Sequence, residues 1–201
     1  GPTVEKNAEI QPNAAIDKRA LGINRVTQVV EWEVTVNKYK ADMRDVIVED
    51  HVKEGQVFYK IGEATLTASG SNATETLDLS GRYSVYSSSD ANAGREIVKI
   101  NFGNLLRGKS ATFEFYTRFT DPQFVNSWAG NGDKWLYNDV YLTRYGMQGK
   151  ILANAVQLYS SKVIQQDIEY PYDYKTHYIG YKITFNQNKM GMEDIRINDD
   201  M

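Results

Sequence analysis

Residues 103 to 110 read Gly-Asn-Leu-Leu-Arg-Gly-Lys-Ser, which on spacing alone matches a loop that cradles phosphate. That chemistry needs a helix directly after the loop, with its free amides turned toward the anion. Here the alternating run Ile97 to Phe102 precedes the loop and a second, Ala111 to Phe119, follows at once. Strands on both sides leave no helix, so nucleotide binding is not expected. The two histidines, His51 and His177, fall in different parts of the chain, so neither a histidine metal site nor a Ser-His-Asp triad is expected. The Asp90 to Gly94 segment lacks the acidic spacing of a calcium loop. Cysteine is absent, which excludes a disulfide framework and thiolate ligation. Neither a metal nor a cofactor is expected. With 26 acidic and 23 basic residues the net charge is −3, giving no reason to expect nucleic acid or an anionic membrane as partner. No apolar run approaches the ~18 residues that a membrane span requires.

The elements that would position any site are strands. Val30 to Val36 alternates apolar and polar residues with period two and is rich in β-branched types. Val46 to Val48, Gln56 to Tyr59, Ala64 to Thr67 and Arg82 to Tyr86 follow, then Ile97 to Phe102, Ala111 to Phe119, Leu136 to Leu142 and Ile151 to Leu158. Turn signals separate them: Lys53-Glu54-Gly55, Ser69 to Asn72, Ser87 to Gly94 and Gly130 to Asp133. Short strands with regular punctuation predict an all-β, antiparallel, Ig-like sandwich. The sole helical expectation is a single turn at Asn104 to Arg107.

The chain also repeats itself. Residues 30 to 52 align without a gap with 179 to 201, pairing Trp32 with Tyr181, Asn37 with Asn186, Met43 with Met192, Asp45 with Asp194 and Asp50 with Asp199. Upstream, Lys18 pairs with Lys162 if the second copy carries five extra residues. The expected organisation is a linker over 1–13, a complete module over 14–159, and the first part of a second copy over 160–201. Gly1-Pro2 matches the scar of a cleaving protease, so the chain is expected to be trimmed from a longer protein. The partial copy has no late Asn. It should be disordered, pack on the first module, or pair with another chain through its open edges.

Four features in order give the chain a resemblance to a known family. A Lys lies on the first strand, Ile16-Asp17-Lys18-Arg19. An aromatic-led strand ends in Asn, Trp32 to Asn37. An Asp follows an apolar strand, Val46 to Asp50. A late Asn stands in Leu136-Tyr137-Asn138-Asp139, followed by the Tyr145-Gly146-Met147 hairpin and the strand Ala153-Asn154-Ala155-Val156-Gln157-Leu158. This run resembles the isopeptide-forming domains of Cna-type collagen adhesins and the C-terminal domains of antigen I/II proteins of Gram-positive bacteria. The resemblance implies a CnaA-like sandwich in which Lys18 and Asn138 are cross-linked and Asp50 is the catalyst, with Lys162 and Asp199 as second-repeat equivalents. Asn154 is the rival acceptor, because it too precedes an apolar strand.

The implied chemistry is physically sound. A lysine amine attacks a carboxamide only when neutral, and its ordinary pKa near 10.4 keeps it charged. Burial lowers that pKa and raises that of a carboxylic acid, so a dry site favours neutral forms of both. The expected protein is a stalk module of a surface adhesin, outside the cell and wall-anchored through another region, with its neighbouring repeats as partners. It is not a conventional enzyme, since the cross-linking is a single turnover. The alternative is a binding module that takes a host protein or a glycan on its loops, with Trp128, Trp135 and Tyr137 as contact residues.

Overall fold

The computed structural model describes residues 15–24, 26–89, 96–119, 133–160, 164–185 and 196–198. The strands are β1 (Ile16–Asn24), β2 (Val29–Val36), β3 (Val46–Val52), β4 (Gln56–Ala68), β5 (Thr74–Leu77) and β6 (Tyr83–Ser87). They continue with β7 (Glu96–Gly103), β8 (Lys109–Phe119), β9 (Asp133–Thr143), β10 (Ile151–Ser160), β11 (Ile164–Asp173) and β12 (Tyr178–Phe185). Two five-stranded antiparallel sheets form, in the orders β1-β2-β8-β4-β5 and β10-β9-β3-β7-β6. β11 and β12 make a separate two-stranded sheet. The expected all-β antiparallel architecture is the observed one.

Period-two alternation decides what each strand buries. β2 turns Val30, Trp32, Val34 and Val36 inward, all fully buried, while Glu31, Glu33 and Thr35 face outward. β8 answers with Phe113 and Phe115, and β9 with Leu136, Val140 and Leu142 from the opposite sheet. Each such aliphatic or aromatic side chain contributes about 1.5–3 kcal/mol relative to an exposed position.

Two expectations need correction. The runs at 56–59 and 64–67 are one strand, β4, whose pairing with β8 slips between Phe58 and Lys60 and again between Ile61 and Ala64. Each bulge shifts the phase of alternation while the hydrogen-bonded ladder continues, so the pattern breaks where the strand does not. Residues 104–107 form hydrogen-bonded turns without a helix, and Leu106 plugs into the core there. β5 had no apolar alternation to reveal it, being a short, mostly exposed edge strand.

Asn37 ends β2 in the left-handed region, φ 56°, which Asn tolerates better than most residues. Its fully buried amide nitrogen faces the carbonyls of Ala41, Leu106 and Lys109 at 2.8, 2.9 and 2.9 Å, while its Oδ1 accepts from Ala41 N at 2.9 Å. One side chain thus ties the β2–β3 connection to the β7–β8 turn. Asn37→Ala leaves several buried backbone groups unpaired and should cost about 3 kcal/mol or more. A lowered urea midpoint at unchanged denaturant slope is the measurement.

The β11–β12 sheet repeats the local geometry of β1–β2. Ile16 faces Val36 and Ala20 faces Trp32, with a bulge between Ala20 and Gly22. Ile164 faces Phe185 and Ile168 faces Tyr181, with a bulge between Ile168 and Tyr170. Phe185 and Tyr181 are the repeat partners of Val36 and Trp32. Where the first hairpin's inner face is buried, this one is open: Tyr181 is 49% and Ile183 39% exposed.

Candidate functional site

Strand parity builds the site. On β1 the inward positions are Ile16 and Lys18, so the same alternation that buries an isoleucine buries a lysine. On β3 Val48, Asp50 and Val52 point inward, and on β9 Leu136, Asn138, Val140 and Leu142 do so. Asp50 pairs with Val140 and Val52 with Asn138, which makes Asp50 and Asn138 diagonal neighbours on one face. Lys18 reaches them from the opposite sheet, across the core.

The contacts are close. Lys18 Nζ donates to Asn138 Oδ1 at 2.6 Å and also to Asp50 Oδ2. The Phe115 ring centroid lies 4.8 Å from the amine and that of Trp32 5.6 Å. Side-chain exposure is 0% for Lys18 and 1% for Asp50, and Asn138 is fully buried. Burial drives the Lys18 pKa below its ordinary value, against the opposing pull of Asp50. Burial likewise drives the Asp50 pKa up, against the opposing pull of Lys18. Both shifts favour the proton arrangement with neutral amine and neutral acid. Two polar atoms at the site, Asp50 Oδ1 and Asn138 Nδ2, have no hydrogen-bond partner.

Lys18, Asp50 and Asn138 are brought together, and Asn154 is not. β10 pairs Ala155 with Asn138 and Asn154 with Asp139. Ala155 therefore faces the core, and Asn154 stands exposed on the outer side. Lys162 and Asp199 lie outside the described residues. The β11–β12 register shows which described residue stands opposite the repeat partner of Val34. Lys18 faces Val34, Val34 repeats as Ile183, and the residue facing Ile183 is Gln166.

Other candidates sit apart. Lys109 of the phosphate-loop-like segment begins β8 and pairs with Glu75 at 2.9 Å, with no helix following. His51 is buried against Tyr141, ring centroids 4.4 Å apart, and His177 is on the β11–β12 turn. Among the described residues no cluster could hold a metal ion. Trp135 and Tyr137 are exposed on β9, while Trp128 lies outside the described residues. Sequence reading missed the buried polar pair Gln56 and Thr117. For Thr117 the signal was present, since it shares parity with Phe113 and Phe115.

A model of the family described as collagen binding domain matches residues 14–139. No curated protein matches the chain. Among solved structures, the collagen binding subdomain of the Enterococcus faecalis surface protein ACE is 14% identical with a TM-score of 0.47, covering 71% of this chain and 97% of that one. The collagen-binding domain from a Staphylococcus aureus adhesin is 14% identical with a TM-score of 0.46, covering 71% and 95%. A longer Enterococcus faecalis ACE structure, described as an MSCRAMM that binds its ligands by the collagen hug model, is 15% identical with a TM-score of 0.50. It covers 73% of this chain, and this chain spans 51% of it. With the family model spanning both sheets as far as Asp139, the chain belongs to the collagen-binding domain family, in keeping with its resemblance to Cna-type adhesin domains.

Proposed function

We propose that residues 14–159 are a surface-adhesin module that seals itself with an amide bond between Lys18 and Asn138, with Asp50 as catalyst. The neutral Lys18 Nζ attacks Asn138 Cγ. The carboxyl of Asp50 donates to the oxyanion that develops on Asn138 Oδ1, in a site where water does not compete. A proton leaves the attacking nitrogen, passes through Asp50 and reaches Asn138 Nδ2, which departs as ammonia. One C–N bond forms, one breaks, and no cofactor enters the balance. Holding the groups in contact supplies effective molarity equivalent to roughly 7–11 kcal/mol of barrier.

The observation that carries this reading is the amine 2.6 Å from the Asn138 carboxamide oxygen in a dry pocket beside Asp50. The partnerless Asp50 Oδ1 and Asn138 Nδ2 add to it, being the atoms that would relay and receive the proton. As a unit repeated along an extracellular stalk, the bond would shield most of the sandwich from pulling force. Intact-protein mass spectrometry tests it. The full chain should weigh about 17 Da less than its sequence, the mass of one ammonia lost on amide exchange. Fragmentation should recover the peptides of residues 18 and 138 joined. A full sequence mass would end the reading.

The family match favours a second activity for the same module, binding of a host protein such as collagen. Trp135 and Tyr137 on β9, with Val156 and Leu152 on β10, leave apolar side chains exposed on one sheet face. Surface plasmon resonance over immobilised collagen should show saturable binding, and flat traces would leave the stalk role alone.

A further inference from the structure

Three more buried polar side chains lie beside the reacting trio, and their hydrogen bonds run in one line. Trp32 Nε1 donates to Thr117 Oγ1 at 3.0 Å, and Thr117 Oγ1 donates to Gln56 Oε1 at 2.6 Å. Gln56 Nε2 then donates to the backbone carbonyl of Tyr137 at 3.1 Å. Gln56 is 2% exposed, and Thr117 and Trp32 are fully buried. The chemistry permits one direction only. An indole nitrogen can only donate, and the Tyr137 carbonyl can only accept, so the threonine hydroxyl and the glutamine amide each have one assignment.

Trp32, Thr117 and Gln56 belong to β2, β8 and β4 of the first sheet, and Tyr137 belongs to β9 of the second. The last bond therefore crosses the sandwich. It does so where β3 runs out: Val52 opposite Asn138 is the final β3–β9 pair, and Tyr137 is the next residue of β9. Both ends of the line meet the reacting groups. The Trp32 ring lies beside the Lys18 amine at 5.6 Å, and Tyr137 is bonded to Asn138 through the chain.

We propose that Gln56, acting through Thr117 and Trp32, is a positioning residue for cross-linking: it fixes the spacing of the two sheets at the point where Lys18 must meet Asn138. This rests on the cross-linking reading above. The reaction needs attacking and attacked atoms in contact, and a displacement of about 1 Å costs on the order of a hundredfold in rate. A line of hydrogen bonds with one possible direction holds that distance more narrowly than apolar packing, whose contacts tolerate sliding.

The test follows ammonia loss over time in the full chain, made by cell-free synthesis and sampled by intact mass. Gln56→Leu and the isosteric Thr117→Val should each slow the loss about tenfold or more, whereas Thr117→Ser, which keeps the hydroxyl, should restore it. Leu66→Ala, a core change toward the far end of β4, serves as control for stability alone. The effect of each substitution on stability is measured separately in a Lys18→Ala background, where no bond can form. Wild-type rates in Gln56→Leu or in Thr117→Val would overturn the proposal. So would slowing in Leu66→Ala equal to theirs at equal stability loss, since the rate would then follow folding. A wild-type chain that never loses ammonia would instead remove the cross-linking reading itself.

Discussion

Asp50→Ala is expected to leave the chain at its full sequence mass while it remains folded. The wild type should lose one ammonia completely. Asp50 is placed to relay the proton between the attacking nitrogen and the leaving Nδ2, and among the described residues it is the acid that hydrogen-bonds Lys18. Asp50→Asn should fail equally. It keeps shape and neutrality but carries no exchangeable acid proton. Lys18→Arg should fail for a separate reason, because a guanidinium stays charged and offers no free lone pair. Asn138→Ala removes the acceptor and should also give full mass. Asn154→Ala should cross-link like the wild type, since Asn154 stands exposed on the outer side of β10. The whole set is read by intact mass together with circular dichroism to establish folding. Ammonia loss persisting in Asp50→Ala or Asn138→Ala would refute the assignment of roles.

Loss of the bond should be the largest single change in stability available in this chain. Residues 18 and 138 are 120 apart in sequence. By analogy with disulfides, cross-linking a loop of that size withholds roughly 4–5 kcal/mol of denatured-state entropy, a model-dependent figure. For a domain of this size that corresponds to a melting temperature lower by roughly 10–20 °C in Asn138→Ala, by calorimetry. The difference should depend on pH. In the unreacted variant Lys18 keeps a titratable amine whose folded pKa lies below the ordinary 10.5, because burial disfavours the ammonium. The folded state then holds fewer protons than the unfolded chain, so the variant's stability rises as pH climbs toward 10.5 and falls as pH drops through the folded pKa. The wild type has an amide there and no such dependence. Asp50 is present in both proteins. The gap between them should therefore narrow in alkali and widen on acidification toward neutrality. A variant melting within a degree or two of the wild type at neutral pH would show that no loop is closed.

Much of this was legible in the residues, for local reasons. Alternation along Val30 to Val36 and Ala111 to Phe119 specifies strands and the side each residue faces, since neighbouring side chains in a strand must point oppositely. Parity alone puts Lys18 with Ile16 and Thr117 with Phe115. The strand end at Asn37 and the repeat at residue 179 onward are likewise local or self-referential signals.

What only the tertiary structure decided involves pairing between distant strands. Asn138 and Asn154 look alike in sequence, and the β9–β10 register, setting Ala155 against Asn138, turns one inward and the other out. Two bulges merge the runs of β4 into one strand, and the β11–β12 ladder sets Gln166 opposite Ile183 as β1–β2 sets Lys18 opposite Val34. The line from Gln56 to Tyr137 joins residues of opposite sheets. Alternation constrains each strand by itself. Register is chosen by the sum of core contacts between strands, and a bulge that shifts it by one residue leaves almost no trace in the residues on either side.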